Sequence, residues 1–157
     1  MLTMGNKDRV FMLVALQIGE LGTCDRKQVG AVITRNGRAI SWGYNGAPPG
    51  LPHCSENDHG WHDPILPPGM IAEKIKERGC RNATHAEANA LAFAAREGIS
   101  TDGATLYVTV SPCEACSQLL IAAGIRRVVW GEAYRDPSGT ALLRKAGVLC
   151  FDANVST

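Results

Sequence analysis

His85 and Glu87 stand two residues apart, and Pro112, Cys113 and Cys116 follow well downstream with the two cysteines at C-x-x-C spacing. Three residues of metal-ligating type and one carboxylate must therefore converge from separated segments, which restricts the folds open to the chain. Both segments read as helix starts. Ala86 to Arg96 has strong helix formers throughout and ends near Gly98, so His85 and Glu87 sit in or beside a first turn. Ser111 suits a helix cap, Pro112 a first helical position and Gly124 a stop, which predicts a second helix with Cys113 and Cys116 in its opening turn. Two sulfurs three residues apart there point the same way, and the peptide dipoles favour thiolate over thiol. The fold has to bring two helix N-termini to one end of a sheet.

The remaining pattern supplies such a sheet. Apolar residues at helical spacing predict a helix from Asp8 to Leu21, stopped by Gly22. Val29 to Thr34 and Arg38 to Tyr44 are rich in strand formers and flank Asn36-Gly37, so they read as a β-hairpin. Further strands are expected over Thr105 to Val110, Arg127 to Trp130 and Val148 to Phe151, with a helix over Ser138 to Ala146. This order implies an α/β fold of three α/β/α layers, a mixed five-stranded sheet with helices on both faces. A length of 157 residues fits one domain. From about 46 to 83 the chain is rich in Pro and Gly, which excludes long regular elements apart from a short helix over Met70 to Arg78. An insert this long needs something to tie it down.

The formal charge of +1 lacks the basic footprint of a protein that grips a long polyanion, so small substrates are favoured over nucleic acid. No apolar run approaches the roughly 18 residues that span a bilayer, and the first ten residues lack a signal-peptide pattern, which points to a cytoplasmic address. In that setting the six cysteines read as metal ligands or buried thiols, not disulfides.

His85, Cys113 and Cys116 make a set of three ligands that suits zinc and leaves a fourth position open for water. Zinc makes hydroxide available near neutral pH, and Glu87 is close enough to move the protons without being a ligand. The alternative is half of a structural zinc knuckle, with His85 a core histidine and Glu87 a surface acid. Having His-x-Glu at one helix start and Pro-Cys-x-x-Cys at the next favours the catalytic reading.

H-x-E…P-C-x-x-C is the recognised signature of zinc deaminases, and the chain resembles the deoxycytidylate (dCMP) deaminases of the cytidine deaminase superfamily from about Cys24 to Gly147. Four stretches carry the resemblance: Val29-Gly30-Ala31-Val32-Ile33; Gly43-Tyr44-Asn45-Gly46 with Pro48 and Gly50; His85 through Ala90; and Thr105 through Cys116. It implies a cytidine deaminase-like fold and hydrolytic conversion of dCMP and water to dUMP and ammonia, supplying dUMP for dTMP synthesis. By the same resemblance Glu87 is the proton shuttle, Asn45 holds the substrate sugar, and the backbone of Ala86 contacts the pyrimidine ring. Family members are often hexamers activated by dCTP with magnesium and inhibited by dTTP, and Gly43, Tyr44, Asn45 and Gly46 resemble the segment tied to that regulation. Turn chemistry alone also accounts for these residue types.

The resemblance further implies a second, structural zinc holding the insert. Cys24, Cys54 and Cys80 match ligand positions and His59 takes the fourth, with His62 left open. Three buried reduced cysteines are the simpler alternative, and Cys150 reads as a small buried apolar residue. A substrate phosphate needs at least one cation. Arg26, just before the first strand, is the first candidate. Arg35 and Arg38 flank the hairpin turn at the other end, and Arg126, Arg127 and Arg135 lie near other strand ends. Rival functions are deamination of dCTP or a 5-substituted dCMP, of a free nucleoside or base, or of adenosine in transfer RNA, and, in another class, a non-catalytic zinc scaffold.

Overall fold

Five short segments rich in strand formers are realised as one sheet, seen in a computed structural model that describes residues 4–61, 65 and 67–154. Helix α1 spans Asn6–Gly19, strand β1 Gly30–Arg35 and strand β2 Arg38–Tyr44. Asn36 and Gly37 join the strands at positive φ, the left-handed backbone that an Asn-Gly turn supplies at little cost. Helix α2 (Pro68–Arg78) and α3 (Ala86–Arg96) follow, then β3 (Thr105–Val110), α4 (Glu114–Ala122), β4 (Arg127–Glu132), α5 (Ser138–Lys145) and β5 (Leu149–Asp152). The strands lie in the order β2-β1-β3-β4-β5. β1 is antiparallel to β2 and β3, while β3, β4 and β5 are parallel, so the expected mixed sheet forms.

Two cores use the two faces. Ala31, Ile33, Leu106, Val108, Val128 and Trp130 point one way, onto Ala86 and Ala90 of α3, Leu120 of α4 and Leu143 of α5. Val32, Tyr107 and Val129 point the other way, onto Met12 and Ala15 of α1. This is the period-two alternation of strands buried on both sides. Helix α1 is also clamped electrostatically. Both carboxylate oxygens of Asp8 accept from Arg127 at 2.8 Å, and Tyr107 donates its hydroxyl to Asp8 at 2.6 Å. The Arg127 guanidinium holds the Asp8 carboxyl below its ordinary value, and burial pushes the Tyr107 hydroxyl up to about 12.

Three local expectations need correction. α1 ends at Gly19, because its last turn tightens: Glu20 and Leu21 donate to the carbonyls of Gln17 and Ile18, three residues back. α4 begins at Glu114 with Cys113 as its cap, two residues later than Ser111 implied. Ser111 Oγ instead accepts the Tyr134 N–H at 2.7 Å, tying the end of β3 to the loop after β4. Within the insert, Cys54–Gly60 forms a kinked 3₁₀ segment that no periodicity announced. No helix among the described residues is long and apolar enough to cross a membrane.

The strand directions decide where chemistry can sit. Because β1 runs against β3, the start of β1 lies at the same sheet end as the finishes of β2, β3 and β4. Segments 24–29, 45–46, 110–113 and 132–135 therefore meet there, and α3 and α4 start there.

Candidate active site

His85 and Cys113 cap α3 and α4, both in extended backbone, so their side chains leave the helix axes at the first turn. Their carbonyls already serve the helices, accepting from Asn89 N and Ser117 N. α3 is seated by its contact with β2. A Cβ at Gly43 would lie 2.6 Å from both the Ala86 carbonyl oxygen and the Ala90 nitrogen, so only glycine lets the helix approach this closely. Ser41 Oγ donates to the Ala90 carbonyl at 2.7 Å, and Asn89 Nδ2 to the Tyr44 carbonyl at 2.7 Å. A bridge between Gly46 and Thr84 fixes the chain just before His85.

His85 Nδ1 lies 3.5 Å from Cys113 Sγ and 3.4 Å from Cys116 Sγ. A tetrahedral ion with Zn–S near 2.3 Å and Zn–N near 2.0 Å holds such atoms roughly 3.5 Å apart, so the three atoms fit a zinc. Hydrogen bonding with Cys116, and then with His85, draws the Cys113 thiol down to about 4, while the bond to Cys113 and burial push Cys116 up. His85 is raised by its bond to Cys113. Glu87 is 4% exposed, and burial pushes its carboxyl above the ordinary value. A buried carboxyl beside a three-ligand set has the character of a general acid and base.

His85, Glu87 and Cys113 open onto a cavity of about 520 Å³. Asn45, Ala86 and Arg26, the three expected substrate contacts, all line it. Asn45 is 8% exposed and its amide is already engaged on both sides: Oδ1 accepts the Val29 N–H at 2.7 Å and Nδ2 donates to the Lys27 carbonyl at 2.6 Å. One amide hydrogen and one lone pair are left for a ligand. Ala86 is the first helical residue, whose N–H has no partner inside its own helix.

A second cluster lies beside the first. Cys24, Cys54, His59 and Cys80 offer ligand atoms all within 4.8 Å of one another, a closed set of four against the first cluster's three. His59 is 8% exposed and its Nδ1 lacks a hydrogen-bond partner, the condition of a nitrogen awaiting a metal. Burial pushes the Cys54 thiol up to about 12, with Cys80 and Cys24 adding to it. The insert is tied further by Trp61, whose Nε1 donates to the Gly79 carbonyl at 2.8 Å while Arg81 and Lys74 stack over its ring. His62, the other candidate ligand, lies outside the described residues.

Residues 5–132 match the family described as the cytidine and deoxycytidylate deaminase zinc-binding region. A deoxycytidylate deaminase of Mycobacterium phage D29 is 42% identical over 123 residues, covering 78% of this chain and 92% of that protein. The chain belongs to the deoxycytidylate deaminase family. The deoxycytidylate deaminase of phage T4 is 34% identical over 172 residues, covering 93% of this chain and 89% of the relative. Among solved structures, the dCMP deaminase of cyanophage S-TIM5 in complex with dCMP and dUMP aligns at a TM-score of 0.73 and 30% identity, over 90% of this chain and 93% of that one. The cytidine deaminase-like fold expected for a deoxycytidylate deaminase is thereby shown.

Several groups in the deaminase cavity escaped the sequence. Tyr134 lines it, as does a pair of Lys27 and Glu132 at 2.5 Å, and of the secondary arginine candidates Arg135 lines it too. Since β3 and β4 are parallel neighbours, the segment after β4 had to lie beside the cysteine segment after β3, where ligands bind in such sheets. That adjacency was the available signal. Arg127 is bound to Asp8, and Arg35 donates to the Ser100 carbonyl at 2.6 Å. Neither they nor Arg38 and Arg126 line the cavity.

Proposed function

We propose that this chain deaminates dCMP to dUMP and ammonia, with Glu87 as the proton carrier and His85, Cys113 and Cys116 as the zinc ligands. The observation that carries it is the single cavity lined by a buried Glu87, by His85 and Cys113 of the three-ligand cluster, and by Asn45 and the cations Arg26 and Arg135. Zinc, when bound, supplies the Lewis acidity that makes water a nucleophile at neutral pH. The Glu87 carboxylate takes one proton from the attacking water and delivers it to N3 of the ring, then takes the second from the hydroxyl left on C4 and passes it to the amino group, which leaves C4 as ammonia. Its raised affinity for a proton, caused by burial, suits both halves of that task. The Ala86 N–H and the spare donor of Asn45 orient the base and sugar. Arg26, joined by Arg135, meets the phosphate, whose charge a forked guanidinium matches.

The neutral overall balance of charge and the Pro/Gly-rich insert favour a small nucleotide over transfer RNA. Preference for dCMP over dCTP or a 5-substituted dCMP is part of the proposal, as are a cytoplasmic address, a role in supplying dUMP for dTMP synthesis and a single 1–157 domain whose insert at about 46–83 is tethered by a zinc on Cys24, Cys54, His59 and Cys80. Activation by dCTP with magnesium, inhibition by dTTP and a hexameric assembly are carried by resemblance alone. Gly43, Tyr44, Asn45 and Gly46 all touch the start of α3 or the 23–29 segment, so an effector there would bear directly on the site. Ammonia release measured on dCMP, dCTP, cytidine, deoxycytidine and 5-methyl-dCMP, with and without dCTP and magnesium, tests the proposal. Turnover of dCMP above the others is expected. Release from none of them by zinc-loaded protein would return the chain to a zinc scaffold.

A further inference from the structure

Asp25 stands between Cys24, a member of the second cluster, and Arg26, a member of the cavity wall. Its Oδ1 lies 3.2 Å from His59 Nε2. With the Nε2–H donating to that carboxylate, the ring is held in the tautomer whose Nδ1 carries a free lone pair. That Nδ1 is the buried nitrogen without a hydrogen-bond partner, and three sulfurs stand within 4.8 Å of the His59 ligand atom. The backbone supports the same aim. Asp58 and His59 take φ of 51° and 54°, left-handed values that residues with a side chain adopt only when their surroundings hold them there. Gly60 follows at 78°, and the Arg81 N–H donates to the His59 carbonyl at 2.8 Å. The imidazole is therefore buried with Nε2 against Asp25, which leaves Nδ1 as the nitrogen with a lone pair to offer the cluster.

We propose that Asp25 is a positioning residue for the second metal, orienting His59 and fixing its tautomer from outside the ligand set. This rests on the reading of Cys24, Cys54, His59 and Cys80 as a metal site. A carboxylate behind a ligating histidine raises its basicity and holds its ring plane, and removing such a partner typically weakens metal binding 10- to 100-fold. The Asp25 side chain is 60% exposed, so water can replace it in part and the effect falls toward about tenfold.

The test uses the full-length zinc protein, elemental analysis and chelator-driven zinc release followed over time. Wild type should hold two zincs per chain. Asp25→Ala should release the second zinc about tenfold faster, and Asp25→Asn should fall between, because its amide oxygen still accepts the Nε2–H. Release from the catalytic cluster should be unchanged in both. With cobalt in the second site, the visible absorption bands should shift in Asp25→Ala and return toward wild type in Asp25→Asn. His59→Ala should lose the second metal outright. If wild type holds two zincs and His59→Ala loses one, but Asp25→Ala releases zinc at the wild-type rate with unshifted cobalt bands, the positioning role is refuted while the metal site stands. One zinc per chain in undamaged wild type refutes the metal site itself.

Discussion

Replacing Gly43 with alanine tests how the fold sets the active site. The added Cβ would sit 2.6 Å from the Ala86 carbonyl oxygen, 2.6 Å from the Ala90 nitrogen and 2.9 Å from Asn89 Cβ. Two of these atoms are backbone, so no rotamer change relieves them. Ordinary contact begins near 3.4 Å, and α3 must therefore retreat from β2 by about 0.8 Å. Overpacking of this kind costs about 1–3 kcal/mol, which lowers Tm by about 2–12 °C in a chain of this size. The functional cost is larger, because α3 carries His85 at its cap and Glu87 in its first turn while the cysteines ride on α4. A displacement near 1 Å at a reacting group costs on the order of 100-fold in turnover, and metal ligands tolerate only about 0.2 Å. Gly43→Ala should remain folded by circular dichroism, lose roughly 100-fold in kcat for dCMP without any effector present, and release zinc faster. Wild-type kcat without effectors, combined with loss of only a dCTP response, would refute this steric account and make Gly43 a regulatory residue.

Three other outcomes follow from named contacts. Glu87→Gln should keep its zinc by elemental analysis while kcat falls by about 10²- to 10⁴-fold, the usual share of a general acid and base. Arg26→Ala should raise KM for dCMP by about 10- to 100-fold, the loss of a charge-assisted hydrogen bond, and leave kcat/KM for unphosphorylated deoxycytidine unchanged. Asp8→Asn should cost about 1.5–3 kcal/mol in urea unfolding at pH 7, since Asp8 and Arg127 are 15% and 25% exposed and a hydrogen bond to a charged group has that worth. The Asp8 carboxyl is held below its ordinary value, so its contribution is present above the unfolded carboxylate pKa and is lost as pH falls through the lower folded one. The gap between wild type and Asp8→Asn should begin to narrow below about pH 3.8 and vanish only below the lower folded value, and a gap independent of pH would refute the ion-pair account.

What the sequence made legible depended on whether a signal was local. The strands announced themselves through runs of strand formers and the Asn36-Gly37 turn, and α3 through its unbroken helix formers. Ser111 misled because the rule for caps weighs only the following residues, whereas its hydroxyl is taken by Tyr134, a partner from the next parallel strand. Gly43 looked like turn chemistry, and its need arises from the proximity of α3, which no local pattern records. Arg135 looked like one more surface arginine until β3 and β4 were known to be adjacent and parallel. The second cluster was legible through the family resemblance and an excess of ligand types, and Asp25 not at all, since an exposed acid becomes informative only with His59 beside it.

The insert is also part of the catalytic wall. Cys24 and Cys80, two members of the closed cluster, line the same cavity as Glu87, as do Arg26, two residues after Cys24, and Gly79, just before Cys80. Gly79 is at φ 86°, a left-handed value that favours glycine, and Arg26 Nη1 stands 3.1 Å from where a Cβ would be, so the guanidinium lies against this turn. From Cys80 the chain runs through the Thr84–Gly46 bridge directly into His85. Closing the second cluster thus restrains both flanks of the cavity at once, the turn bearing Arg26 and the approach to His85. A tether placed farther along the insert would stabilise the loop equally well but would leave both flanks free. On the proposed reading, a metal closing this cluster beside the cavity would set where Arg26, the proposed phosphate contact, and His85 stand.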